Sequence, residues 1–227
     1  MRYTTLLFDV DDTLLDFQAA ENQALQALFQ KVGIPFTQER EQLYKKVNEA
    51  RWRSFELGEM SREEVVNQRF GTFFQLLGHE VDSLAMEQEY REYLNQGHQL
   101  LGNSLEVVRT LAEKVDLYIV TNGVSKTQFK RLEDAKLLPY FKEVIVSEAT
   151  GYQKPMIEFF EYTFSKIPDL DKEKTVIIGD SLSSDIQGGM NAGIDTIWLQ
   201  PTNLVTTMKI QPTHQIRRLE ELYSLLS

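Results

Sequence analysis

Five short apolar runs, each broken off abruptly, constrain this chain more than any other feature. Leu6-Leu7-Phe8 stops at Asp9, Leu117-Tyr118-Ile119-Val120 at Thr121, and Val144-Ile145-Val146 at Ser147. Val176-Ile177-Ile178 stops at Gly179-Asp180, and Thr196-Ile197-Trp198-Leu199 at Gln200-Pro201. Runs so short and so continuously apolar read as strands buried on both faces, as in a parallel sheet covered by helices. From Ser104 onward they alternate with helical patterns over Ser104–Lys114, Ser125–Ala135, Met156–Lys166 and Ser184–Ala192. Ser125 is expected to be an N-cap and Gly193 a C-terminal stop. Such alternation predicts right-handed βαβ units, hence a doubly wound, Rossmann-like α/β core with a parallel sheet.

The stretch from Phe17 to His98 differs, having no clear strand run. Leu25, Leu28, Phe29 and Val32 recur at helical spacing, as do Leu43, Val47, Ala50 and Phe55. Ser61-Arg62-Glu63-Glu64 has the form of a capping box, and Val65, Val66, Phe70, Phe73, Phe74 and Leu77 follow it. Leu84, Tyr90, Tyr93 and Leu94 suggest one further helix. The expected organisation is a core from residues 1–16 and 99–227 with a helical cap, 17–98, inserted after the first strand. The 227 residues suit one large domain or a domain plus an insertion. No internal repeat or low-complexity segment interrupts this pattern.

Composition removes several classes of function. There is no cysteine, so neither a disulfide, a thiolate nucleophile nor a Cys-ligated zinc is expected. His79, His98 and His214 are far apart in sequence, and no H-E-x-x-H is present. A formal net charge of −10 disfavours non-specific nucleic-acid binding, which needs a basic face. No run approaches the ~18 apolar residues of a membrane span, and Asp9, Asp11 and Asp12 interrupt the only stretch resembling a signal peptide. No N-glycosylation sequon occurs, and the cytoplasm is the expected compartment.

The polar residues that end the strands carry the chemistry. Asp9, Thr121 and Asp180 each end a strand, and in a parallel sheet all such ends share one edge, where open α/β folds bind ligands. Asp11 follows Asp9 by two residues, Asp185 follows Asp180 by five, and Lys154 lies in the loop after the third run. Carboxylates this crowded cannot all ionise without compensation. A hard divalent cation supplies it, and Mg2+ commonly joins a few carboxylates to a substrate phosphate. Lys154 and the Thr121 hydroxyl add donors suited to phosphoryl oxygens, and a carboxylate can itself be a covalent nucleophile. Singly, each residue has a plainer explanation: a strand-end threonine, a solvated lysine, a helix-capping Asp180, an Asp12 that serves a turn. Their joint placement on one edge is what those explanations do not require.

At these residues the sequence resembles the haloacid-dehalogenase-like (HAD) hydrolase superfamily. Asp9-Val-Asp11-Asp12-Thr13 is similar to its first motif and Thr121-Asn122-Gly123 to its second. The segment around Lys154-Pro155 is similar to its third, and Gly179-Asp180 through Asp185 to its fourth. The helices between the first two motifs resemble its C1-type cap. The resemblance implies that Asp9 attacks phosphorus and that Asp11 protonates the leaving oxygen and then serves as base. It implies that Thr121 and the Asn122 backbone amide hold the phosphoryl group while Lys154 counters its charge. It assigns Mg2+ to Asp9, the Asp11 backbone carbonyl and Asp180, with Asp185 in an outer position. Dehalogenating members lack the equivalent of Asp11, so phosphoryl transfer is implied. Asn48, Trp52, Phe55-Glu56, Gly58 and Arg69-Phe70 further resemble the YjjG/YfnB-type branch, which includes 5′-nucleotidases for pyrimidine and non-canonical nucleoside monophosphates.

Rival readings fare worse. Gly179-Asp180-Ser181-Leu182 spells the block of a GDSL-type serine esterase. It lies far from the N-terminus, however, and Gln211 stands where the base motif before His214 needs an acid. A phospho-acceptor receiver-like domain shares the acidic pair, Thr and Lys, but places its acceptor after a later strand and carries no such insertion. An EF-hand at Asp9 fails because Leu14 and Ala20 stand where Gly and Glu are required. Within the superfamily, sugar-phosphate phosphatases and phosphomutases are the alternatives. Asn48, Trp52 and Glu56 fall at i, i+4 and i+8 on one helix face, which suits a planar, hydrogen-bonding leaving group. Together with the branch resemblance, this points to nucleoside 5′-monophosphates, pyrimidines first, as the expected small-molecule substrate, with no nucleic-acid polymer or membrane as partner.

Overall fold

The computed structural model describes residues 2–201 and 208–226. The chain divides into two compact units, one running up to Phe17 and resuming at His98, the other Gln18–Gly97.

The first unit is built on six parallel strands: β1 (Thr5–Phe8), β2 (Asp116–Thr121), β3 (Glu143–Val146), β4 (Thr175–Gly179), β5 (Asp195–Leu199) and β6 (His214–Ile216). Their order is β3-β2-β1-β4-β5-β6. The chain winds outward from β1 in one direction and then, from β4, in the other. β1 thus sits at the switch point, pairing with β2 and β4. Alternate residues of each strand enter different layers. Leu6, Phe8, Leu117, Ile119, Val176 and Ile178 pack on one face with Val107, Val108 and Leu111. Leu7, Tyr118, Val120, Ile145 and Ile177 pack on the other with Phe159 and Phe160. Continuous apolar runs are what two covered faces demand. Each such side chain, fully buried, stabilises the fold by about 1.5–3 kcal/mol.

The helices of the second unit are α1 (Phe17–Val32), α2 (Gln38–Glu56), α3 (Arg62–Leu76) and α4 (Ser83–Leu94). Those of the first are α5 (Ser104–Ala112), α6 (Ser125–Asp134), α7 (Ser147–Thr150), α8 (Ile157–Ser165), α9 (Gln187–Ala192) and α10 (Leu222–Leu225). The capping box expected at Ser61 is present, with Glu64 N–H on Ser61 Oγ and Glu64 Oε2 on Ser61 N–H. Gly193 closes α9 at φ 73°, in the left-handed region.

Several local expectations need correction. Ser125 is the first helical residue of α6 and not its cap; its N–H donates instead to Glu148 Oε2 at 2.8 Å, so a distant carboxylate meets the orphan donor. The helix expected from Ser184 begins earlier, as a π-wound turn over Leu182–Ile186 capped by Ser181. On α2 the buried residues are Tyr44, Asn48 and Phe55, whereas Leu43 and Val47 are half-buried and Ala50 is exposed. The buried face is thus rotated by about one residue. An aromatic cluster decides it: Tyr44 stacks on Phe70 at 5.3 Å, and Phe70 lies 5.1 Å from Tyr90. β6 was not expected at all.

Candidate active site

Asp9 leaves the central strand with its N–H on the Ile178 carbonyl of β4 at 3.0 Å, so its backbone is fixed by the sheet. Lys154, almost wholly buried, aims its ammonium at the same point. Nζ donates to Asp9 Oδ1 at 2.7 Å, to Asp185 Oδ1 at 2.6 Å and to the Val120 carbonyl at 2.8 Å. All three of its protons are used. Burial alone would lower its pKa, but Asp185 and Asp9 outweigh that and hold it above the ordinary lysine value.

Asn122 sets where Lys154 lies. Its Nδ2 donates to the Lys154 carbonyl at 2.9 Å and its Oδ1 accepts from the Lys154 N–H at 3.0 Å. This two-point tie spans 32 residues and joins the second and third sequence motifs, a side-chain role additional to the backbone one expected. Thr121 Oγ1 accepts from Gly123 N–H at 3.1 Å and from Gln128 Nε2 at 2.9 Å. With both lone pairs occupied, the hydroxyl proton is left to donate outward.

Asp9, Asp180 and Asp185 each offer a carboxylate oxygen, all within 4.8 Å of one another. Three carboxylates facing one ammonium leave an excess of negative charge. Burial pushes Asp9 up to about 7, with Lys154 opposing and Asp185 and Asp11 adding to the rise. Burial, then the charges of Asp9 and Asp185, push Asp180 well above the usual carboxylate range. All three donors are hard oxygens, and their mutual repulsion is what a divalent cation relieves. Asp185 has both oxygens engaged, Oδ1 by Lys154 and Oδ2 by the Ser181 N–H at 3.1 Å. It is less free than Asp9 or Asp180 to serve a ligand. Gly179 is required beside it, because a Cβ there would lie 2.2 Å from Asp185 Oδ2.

Asp11 stands apart from this carboxylate trio. Its Oδ1 accepts from Arg131 at 2.5 Å and its Oδ2 from Gln128 Nε2 at 2.7 Å. Neither Gln128 nor Arg131 was foreseen. They fall at i and i+3 on α6 and read in sequence as ordinary helix-surface polars, yet both are buried. Asp12 takes the expected turn role: at φ 54° it accepts the Phe17 N–H on Oδ1 at 3.0 Å, at the start of α1.

In the helical unit, Asn48 is buried within a polar network. Its Nδ2 donates to Glu21 Oε1 at 3.1 Å and its Oδ1 accepts from Arg69 at 3.0 Å, while Arg69 grips Glu87 with two nitrogens. The Asn48 amide is a structural tie there and does not stand ready for a ligand as expected. Trp52 is half-buried, edge-on to Phe55 at 5.6 Å. No described helix is long and apolar enough to cross a membrane.

Comparison with known proteins adds the following. The family model described as haloacid dehalogenase-like hydrolase matches residues 6–199. The HAD-hydrolase YfnB of Bacillus subtilis is 52% identical over all of this chain and 96% of its own. A crystal structure of YfnB bound to magnesium, which revealed interdomain movement, superposes with a TM-score of 0.94 over the whole of both chains. The pyrimidine 5′-nucleotidase PynA of Streptococcus pneumoniae is 42% identical across this whole chain and 96% of its own. The pyrimidine 5′-nucleotidase YjjG of Escherichia coli is 29% identical over all of this chain and 99% of its own.

Proposed function

Because the chain belongs to the haloacid dehalogenase-like hydrolase family, we propose that it hydrolyses nucleoside 5′-monophosphates, pyrimidines first, through an aspartyl-phosphate. One observation carries the chemistry: Lys154 immobilises one Asp9 oxygen at 2.7 Å at the sheet's switch point, beside a Thr121 hydroxyl whose proton is left to donate. The other Asp9 oxygen attacks phosphorus, and the bond to the leaving oxygen breaks as Asp11 delivers its proton there. Water then attacks the phosphoenzyme and returns a proton to Asp11, releasing phosphate and regenerating the Asp9 carboxylate. Thr121 and the Asn122 backbone amide hold the phosphoryl oxygens, and Lys154 offsets their charge. Magnesium is the proposed cofactor, held by Asp9, Asp180 and the Asp11 carbonyl, with Asp185 outside; when bound it supplies charge neutralisation at the phosphoryl group.

The nucleotide preference rests on the full-length likeness to PynA and YjjG, both named pyrimidine 5′-nucleotidases. Residues 17–98 are the proposed cap, and Trp52 is the proposed contact for the base, Asn48 being occupied. The cysteine-free, acidic composition favours the cytoplasm as compartment. A phosphate-release panel tests all of this. We expect kcat/KM for UMP, dUMP or dTMP to exceed that for glucose 6-phosphate and phosphoglycolate. EDTA should abolish turnover and magnesium restore it, and Asp9→Asn should lose several orders of magnitude. Near-normal activity in Asp9→Asn would refute the covalent route; a flat panel would remove the nucleotidase and leave the phosphatase.

A further inference from the structure

We infer that Gln128 and Arg131 are positioning residues that set the carboxylate of Asp11 for proton delivery to the leaving oxygen. This rests on the acid–base role proposed for Asp11. The clamp is built from two sides. Arg131 approaches Oδ1 at 2.5 Å and Gln128 Nε2 approaches Oδ2 at 2.7 Å, and these two bonds fix both the tilt and the plane of the group. Each oxygen retains one lone-pair direction, so a proton can still be carried. The side-chain amide of Gln128 is used at every position. Its two Nε2 protons go to Asp11 and Thr121, and its Oε1 accepts from Arg131 at 3.3 Å. A single residue thus ties the proton carrier to the hydroxyl proposed to hold the phosphoryl group.

The burial of Arg131 argues that the clamp is more than a surface ion pair. Its side chain is 1% exposed while that of Asp11 is 30% exposed, and the guanidinium lies over the Phe17 ring at 5.5 Å. The guanidinium reaches Asp11 through one nitrogen, Nη1, which also contacts Gln128 Oε1, and a buried planar guanidinium is stiffer in that place than the flexible stem of a lysine. Gly123 points the same way. A Cβ there would lie 2.4 Å from Gln128 Nε2 and 2.8 Å from its Cγ, so the side chain reaches Asp11 through space that only glycine leaves open.

The test uses two substrates that differ in their need for a proton. The p-nitrophenolate of p-nitrophenyl phosphate departs unprotonated, whereas the ribose alkoxide of UMP does not. Because kcat/KM covers the steps only through departure of the leaving group, hydrolysis of the phosphoenzyme does not blur the comparison. In Arg131→Met we expect kcat/KM for UMP to fall roughly 10- to 100-fold, a share of the ~10²–10⁴ that a placed general acid supplies. The ratio of the two kcat/KM values, UMP over p-nitrophenyl phosphate, should drop at least tenfold. Arg131→Lys should recover part of that ratio. Gly123→Ala, whose Cβ would press on Cγ, Cδ and Nε2 of Gln128, is the second variant and should lower the same ratio, with the melting temperature read beside it to separate a lost fold from lost positioning. Equal losses on both substrates, or no loss on either, would overturn the inference. A wild-type protein inactive on both would instead sink the proposed function, and this inference with it.

Discussion

Replacing Lys154 by methionine removes a charge while nearly preserving volume, and the structure sets the size of the effect. The ammonium donates three bonds of 2.6–2.8 Å from a side chain 1% exposed. Breaking a buried pair by removing one partner costs about 3–5 kcal/mol, because the remaining charges are left uncompensated. For a chain of this size each kcal/mol moves the midpoint by about 2–4 °C, so the variant should melt about 6–20 °C lower in the absence of metal. Magnesium should recover more in the variant than in the wild type, since removing a neighbouring positive charge strengthens the attraction of the carboxylates for a cation. A ligand at 100 times its Kd contributes about 2.7 kcal/mol in the ordinary case. Differential scanning fluorimetry with EDTA or saturating magnesium reads both quantities, and kcat/KM should fall heavily in parallel. A metal-free midpoint within about 2 °C of wild type would refute the buried-charge argument. A magnesium gain no larger than the wild-type gain would refute the shared electrostatic site.

Two further predictions follow from the same geometry. Asp9 and Asp180 have pKa values raised above their unfolded ones, so their contribution to stability is present below about pH 4 and is lost as pH rises through the folded values, about 7 for Asp9. The metal-free protein should therefore lose stability across that window, and the gain in melting temperature on adding magnesium should be larger near neutrality than at acid pH; equal gains at both would contradict the assignment. Trp52→Ala should lower kcat/KM for UMP at least tenfold while changing that for p-nitrophenyl phosphate little, and Asn48→Ala should act chiefly on melting temperature by removing the buried amide that bridges Arg69 and Glu21; the reverse pattern would move the nucleotide contact from Trp52 to Asn48.

The strands and the groups at their ends were legible because each depends on a local pattern. A run buried on both faces must be apolar throughout, and the residue that ends it must emerge at the sheet's carboxyl edge. β6 is not legible in this way because it lacks that pattern. Only Ile216 of its three residues is buried, and its neighbourhood is secured by polar bonds, including Thr213 N–H on Thr196 Oγ1 at 3.0 Å and Tyr3 on Asp195 at 2.5 Å. The buried face of α2 is hidden in the sequence for a related reason. Counting apolar residues favours Leu43 and Val47 over Asn48, whereas an amide bonded to both Glu21 and Arg69 is buried at little cost.

Arg131 shows where such reading stops. Asp11 and Arg131 are 120 residues apart, and nothing local marks an arginine on a short helix as buried. The signal was present only jointly. Gly123 is needed where Gln128 passes; Gln128 lies in the first turn of α6; and Arg131 follows it at i+3, on the same face. A helix that starts directly after a strand-end loop presents its first-turn residues to the same sheet edge as the strand itself. The first turn of α6 is therefore part of the site's sequence signature, and polar residues there belong among the candidates whenever the loop before it holds a glycine.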